Sequence, residues 1–262
     1  MNDLNAKEGD LMDYTIAPID QQELVRIRRQ LHTYPELKWD LPLTAALVKE
    51  ELTKAGIDFV ADQYGPNTIV ATINPEITRF TIGIRGDMDA LPIQEETGLP
   101  YASEHTGIAH ACGHDIHTTV MLGVAKVLAG FDAVGELGGR VRVIFQPAEE
   151  VMPGGALSVI EQGALDGVPR VLALHCDPRV DVGQVGTRIG AITSASDTIR
   201  IELSGRGGHT SRPHLTEDLV FALAEIAVSV PAVLSRRIDV RSGVSVVWGQ
   251  MHAGSAPNAI PG

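Results

Sequence analysis

"GRVRVIFQPAEEVMPGGALSVIEQG", residues 139–163, decides the fold. Its first nine residues read as a strand rich in Val, Ile and Phe that stops at Pro147. After a turn containing Pro153 and Gly154, "GALSVIEQG" (155–163) reads as a short helix. Working outward, "RVLALHC" (170–176) is a further strand, and 115–129 is a helix. "TIVATI" (68–73) and "FTIGIRGD" (80–87) are strands rich in β-branched residues. Upstream, Leu24, Ile27 and Leu31 recur at helical spacing from Gln21 to about Leu31. A second helix carries Leu43, Leu47, Val48, Leu52 and Ala55, with Asp40 as its expected cap and Gly56 as its stop. Helices and strands that alternate in this way predict an α/β layer whose helices cover a largely buried sheet.

Near residue 185 the character changes. "GQVGTRIG" (183–190) and "SDTIRIELSG" (196–205) read as strands, 215–237 as a long helix and "SGVSVVWGQMHAG" (242–254) as a strand. This β-β-α-β order predicts a small α+β domain with a helix packed on one face of an open sheet. The boundary is therefore placed to give 1–186 and 187–262. Residues 1–18 show no periodicity and are expected to form a loose tail. The sequence stops at "NAIPG", where a sheet domain would be expected to need a further element, so both domains are expected to be incomplete.

The 262 residues can bury a sizeable core. Acidic residues number 33 against 21 basic, a formal charge of −12. That balance disfavours nucleic acid or an anionic membrane as partner. No apolar run approaches the ~20 residues of a membrane span, and the N-terminus lacks the pattern of a signal peptide. The two cysteines, Cys112 and Cys176, suggest no disulfide framework. A cytoplasmic protein is expected.

Polar donors gather after the predicted strands, where open α/β sheets build their sites. "IRGDMDALP" ends one strand with Asp87 and Asp89, "IFQPAEE" another with Glu149 and Glu150, and "LALHCD" a third with His175, Cys176 and Asp177. Cys112 and His114 open the helix between them. An acidic pair directly after an apolar strand is costly unless something positive lies near. Taken together, these segments point to a metal centre. Thiolate, imidazole and carboxylate form a set that zinc accepts, with manganese, cobalt and nickel also open. Asp87, Asp89 and Asp115 are candidates to orient the ligand imidazoles. The chemical rival is a nucleophilic Cys112, activated by a depressed pKa at a helix N-terminus. That reading leaves Glu149, Glu150 and His175 unexplained.

"RRQLHTYPEL", "RGDMDALP", "HACGHDIHTTVMLG", "FQPAEE", "GRGGHTSRPH" and "NAIPG" follow in order over residues 28–262. Together they closely resemble the dinuclear metallopeptidase family of hippurate hydrolases, N-acyl-L-amino acid amidohydrolases and auxin-conjugate hydrolases. The resemblance implies a zinc-peptidase-like catalytic domain with helices on both faces of a mixed sheet, and a smaller α+β lid that also dimerises. It implies two divalent metal ions, an N-acyl amino acid as substrate and a homodimer formed through the lid. Carried over by motif, Cys112 is the ligand shared between the metals, and His114, Glu150 and His175 are further ligands. Glu149 is the general base. Asp89 supports the site, with Asp87 the weaker candidate. His209 reaches a neighbouring active site to steady the oxyanion, and Asn258 contacts the carboxylate end of the substrate. His32, His105, His110, His117, His214 and His252 are expected to be structural. Family members continue past "NAIPG" to a further histidine ligand that cannot be assigned among these residues. The alternative expectation is a truncated, catalytically impaired homologue that dimerises or binds acyl-amino acids.

Overall fold

The computed structural model describes residues 20–193 and 195–262. The tail expected over 1–18 lies outside the described residues. The chain divides into two compact units, Met1–Val185 and Gly186–Gly262.

In the first unit, α1 (Gln21–Thr33) and α2 (Pro42–Lys54) precede β1 (Phe59–Ala61), β2 (Ile69–Ile73) and β3 (Phe80–Asp87). Then come α3 (His114–Ala133), β4 (Arg140–Gln146), α4 (Gly155–Glu161) and β5 (Val171–Ala173). The sheet runs β1-β2-β4-β3-β5. β3 is parallel to β4 and β5, whereas β2 is antiparallel to β1 and β4, so the sheet is mixed. Side chains alternate faces along a strand. Ile69, Ala71, Ile73, Val141, Val143 and Phe145 therefore bury together against Ile27, Leu31, Val48, Leu52, Met121 and Leu122 of the first three helices. The intervening Val70 and Ile144 bury on the other face with Val159 of α4 and Ala164. Helices on both faces explain why β2 and the Val143–Phe145 stretch of β4 are nearly continuously apolar.

α3 is long and apolar enough by length and composition to cross a membrane, which the sequence reading did not anticipate. Here it is the helix on which the sheet packs: His114, His117, Met121, Leu122 and Ala125 are buried along it.

The cap of α2 differs from expectation. Leu41, not Asp40, is the N-cap residue, and it makes no side-chain capping bond. Instead Glu36, from the "YPEL" turn, accepts from Leu43 N at 3.0 Å and Thr44 N at 2.8 Å. Pro42 at the first helical position has no N–H to satisfy, and a buried carboxylate takes the next two. Glu36→Ala should cost about 1–2 kcal/mol of stability, read as a lower urea midpoint at unchanged m-value; an unchanged midpoint would remove Glu36 from this role.

The second unit holds α5 (Leu219–Leu234), a ribbon of β6 (Gly208–His209) and β7 (Ala259–Ile260), and two single 3-10 turns at Pro213–Leu215 and Val240–Ser242. Asp218 caps α5 through Phe221 N at 3.0 Å. The strands expected over 183–190, 196–205 and 242–254 are not formed among the described residues. Their β-branched residues, such as Ile189, Ile199 and Val247, are exposed. Alternation becomes a strand only when a neighbour completes the ladder and covers a face, and among the described residues no ladder forms along these segments.

Candidate metal centre

Each donor segment leaves the sheet at the C-terminal end of a strand. The crossover after β3 uses α3 on one face and that after β4 uses α4 on the other, so the edge between β3 and β4 is a topological switch point. Asp87 ends β3, and Asp89 follows two residues later. Its carboxylate accepts from Glu149 N at 2.8 Å and Glu150 N at 3.1 Å. Asp89 thus fixes the main chain of the acidic pair. Ala148, at φ 55°, turns the chain into that arrangement; a left-handed alanine is strained and is held here by bonds from Ala148 N to Lys38 O and from Gly155 N to Ala148 O.

Between Cys112 and His114 lies Gly113, at φ 98°, where an added Cβ would sit 3.1 Å from the Cβ and Sγ of Cys176. Both the backbone angle and the close approach require glycine. His114 is fully buried. Its Nδ1 lies 2.7 Å from the carbonyl of Asp89. A carbonyl only accepts, so Nδ1 carries the proton and Nε2 presents a lone pair. That Nε2 has no hydrogen-bond partner. Around it are Glu150 Oε1 at 3.7 Å, Asp87 Oδ1 at 3.7 Å and Glu149 Oε2 at 3.9 Å. Glu150 Oε1 is also buried without a partner. His175 repeats the logic: Nδ1 donates to Cys176 O at 2.7 Å, and Nε2 lies 3.3 Å from Cys112 Sγ.

Donor atoms of Cys112, His114 and His175 lie within 4.8 Å of one another, as do those of His114, Glu149 and Glu150. Lone pairs and carboxylates converging around the buried His114 in a half-exposed cluster repel unless protons or a cation stand between them. The protein's own electrostatics record this. Burial and the charges of Glu150 and Glu149 push the Cys112 thiol up to about 12. Burial, with Asp87 and Glu150, raises Glu149. Burial opposes charging His114, but Asp89 and Asp87 raise it overall. Burial first, and then the carboxylates around Cys112, oppose the activated thiolate expected of a nucleophile. Thiol, imidazole and carboxylate of this kind fit a divalent cation.

Asp87 bonds to Arg85 and His117, and Asp115 works differently from expectation. Burial would raise Asp87, but the His117 hydrogen bond and Arg85 hold it at about 2. Asp115 reaches no ligand imidazole. Its Oδ2 pairs with Arg28 Nε and His32 Nδ1, both at 2.8 Å, and His32 Nε2 pairs with Glu95 at 3.1 Å. His105 Nδ1 donates to Pro35 O at 2.8 Å, and His214 and His252 are exposed. His110 is buried with both ring nitrogens unpartnered, and burial drives it down to about 4.

In the second unit, His209 and Asn258 come together on the β6–β7 ribbon, where Thr210 N donates to Asn258 O at 3.2 Å. His209 Nδ1 accepts the Ser211 N–H at 3.1 Å. A backbone N–H only donates, so the neutral ring carries its proton on Nε2.

Residues 83–249 match the model of peptidase family M20/M25/M40. The chain belongs to this family. It is 44% identical over 97% of its length to a Rhodococcus jostii protein named glutamate–cysteine ligase 2-3, and spans 32% of that protein. It is 39% identical over 92% of its length to the N-acetyl-L-cysteine deacetylase of Bacillus subtilis, spanning 57% of it. The chain thus spans about a third to somewhat over half of these curated relatives. Among solved structures, the YXEP protein of Bacillus subtilis, described as a dinuclear metal-binding peptidase of the M20 family, superposes with TM-score 0.60. That match has 39% identity and covers 64% of this chain and 46% of the other.

Two local arrangements, one in each unit, go beyond the expectations from sequence. Ser211, which sets the tautomer of His209, was not singled out, although it stands two residues after it. His117, expected to be structural, stands three residues after His114 on one helical face and bonds to Asp87 and to the Cys176 main chain.

Proposed function

We propose that the protein is a divalent-metal-dependent amidohydrolase that cleaves the amide of N-acyl amino acids, with N-acetyl and hippurate-like conjugates as its substrate class. The observation that carries this reading is the pair of imidazole Nε2 lone pairs turned into a cluster of thiol and carboxylates. Cys112, His114, Glu150 and His175 would hold two ions of zinc, manganese, cobalt or nickel, with Cys112 shared between them. Such ions, when bound, acidify water and polarise a carbonyl.

Glu149 is the group that moves protons. It takes one from the attacking water and delivers it to the leaving amine. The neighbouring acids and partial burial that raise its pKa suit both roles. His209, with its proton on Nε2, donates to the oxyanion that forms on the former amide oxygen, a contribution of about 3–4 kcal/mol. Asn258, beside it on the ribbon, binds the carboxylate end of the substrate. A homodimer through the second unit brings His209 to the neighbouring site.

The test is turnover of N-acetyl-L-cysteine, other N-acetyl amino acids and hippurate by the protein supplied with Zn²⁺, Mn²⁺ or Co²⁺. Release of free amino acid supports the reading, and a metal-loaded dimer inert towards all of them favours a binding protein. Metal uptake has its own pH signature. Protons on Cys112 and His114 must leave before the ligands bind, and both groups are raised. Affinity should therefore rise with pH through the neutral range and go on rising above it, because the Cys112 thiol is still protonated there, with proton release visible by calorimetry in buffers of different ionisation enthalpy. Affinity independent of pH would contradict this ligand set.

A further inference from the structure

A run of hydrogen bonds crosses the edge of the sheet from β4 to the segment after β5. Gln146 Oε1 accepts from Arg85 Nε at 2.9 Å, and Arg85 Nη1 donates to Asp87 Oδ2 at 2.6 Å. The other oxygen of Asp87 accepts from His117 Nδ1 at 2.6 Å, and His117 Nε2 accepts the Cys176 N–H at 2.9 Å. Because a backbone N–H only donates, Nε2 must be the unprotonated nitrogen and Nδ1 the protonated one. Both nitrogens of this fully buried ring are used. His117 is thus no metal donor itself, although Asp87, His114 and His117 lie close enough together to suggest one.

His175 is the donor with the least support from regular structure. β5 ends at Ala173, and His175 follows in exposed, irregular chain. Its Nδ1 proton is committed to the carbonyl of Cys176. The Cys176 main chain therefore orients the His175 ring through its C=O and is itself held through its N–H.

We infer that His117 is a positioning residue for His175: by holding the Cys176 main chain it sets His175 Nε2 against Cys112 Sγ, while Asp87 and Arg85 fix the tautomer that allows it. This rests on Cys112, His114, Glu150 and His175 being metal donors, and it adds that the donor after β5 is set from α3, one turn beyond His114.

Co²⁺ binding to the metal-free protein, followed by its visible absorption, tests the inference. His117→Asn keeps a polar group where Nδ1 stood, within reach of Asp87, but removes the acceptor for Cys176. His117→Gln does the reverse. H117N should weaken Co²⁺ binding about 10–100-fold, and H117Q by no more than about threefold. In a His175→Ala background H117N should cost nothing further, since the route it acts through is gone. The inference is overturned if H117N binds like wild type, if H117Q loses as much as H117N, or if H117N weakens H175A further. Should H117N not fold, H117Q decides: retained binding supports the inference and lost binding ends it. Wild-type protein that takes up no Co²⁺ would remove the metal reading itself, whereas H175A binding as tightly as wild type would remove only His175 and this inference with it.

Discussion

Glu149→Gln lowers kcat by about 10²–10⁴-fold while metal content stays at the wild-type level. The two halves of this expected result have separate origins. Glu149 is held by its main chain, its N–H on Asp89 at 2.8 Å, so the amide variant keeps its place. Its carboxyl group lies at the margin of the donor cluster, 3.9 Å from His114 Nε2 and partly exposed, where it can meet water and substrate. Glutamine retains shape and hydrogen bonding but neither takes nor gives the proton. Elemental analysis beside steady-state kinetics checks both halves. Full turnover would remove Glu149 from the role of base, and lost metal would make it a ligand.

His114→Ala should abolish tight metal binding. His114 offers a lone pair already oriented by the Asp89 carbonyl and satisfied by nothing else. If a four-donor site is worth about 10–16 kcal/mol, one donor accounts for about a quarter of that, or a loss of about 10²–10³-fold in affinity. Cys112→Ser should act in the same direction, since a hydroxyl replaces a thiolate that softer cations favour. Equilibrium dialysis reads both, and unchanged occupancy in H114A would be incompatible with the donor set.

Much of the first unit was legible because burial there follows simple periods. Ile69, Ala71 and Ile73 face one helical layer while Val70 faces another, and α1 shows Ile27 and Leu31 one turn apart. The candidate site was legible for a related reason: Asp89, Glu149, Glu150 and His175 each follow a strand, and parallel strands bring their ends to one edge. What the sequence could not announce depends on partners distant along the chain. Glu36 caps α2 from a turn outside the helix, so the nearer Asp40 looked the better cap. Asp115 stands beside His114 in sequence, yet its carboxylate belongs to Arg28 and His32. His117 gains its role only because the Cys176 main chain arrives against it. In the second unit, Ile199 and Val247 carry a strand pattern, but a pattern without a ladder has no energy of its own.

The central claim is that Cys112, His114, Glu150 and His175 converge on a cation. Anomalous scattering from crystals of the protein soaked with Zn²⁺ or Co²⁺ tests it most directly. The account predicts a peak within about 2.0–2.3 Å of His114 Nε2 or His175 Nε2 and beside Cys112 Sγ. A peak bound instead to Asp87 and His117, or none at the ends of β3 and β4 under saturating metal, would contradict it.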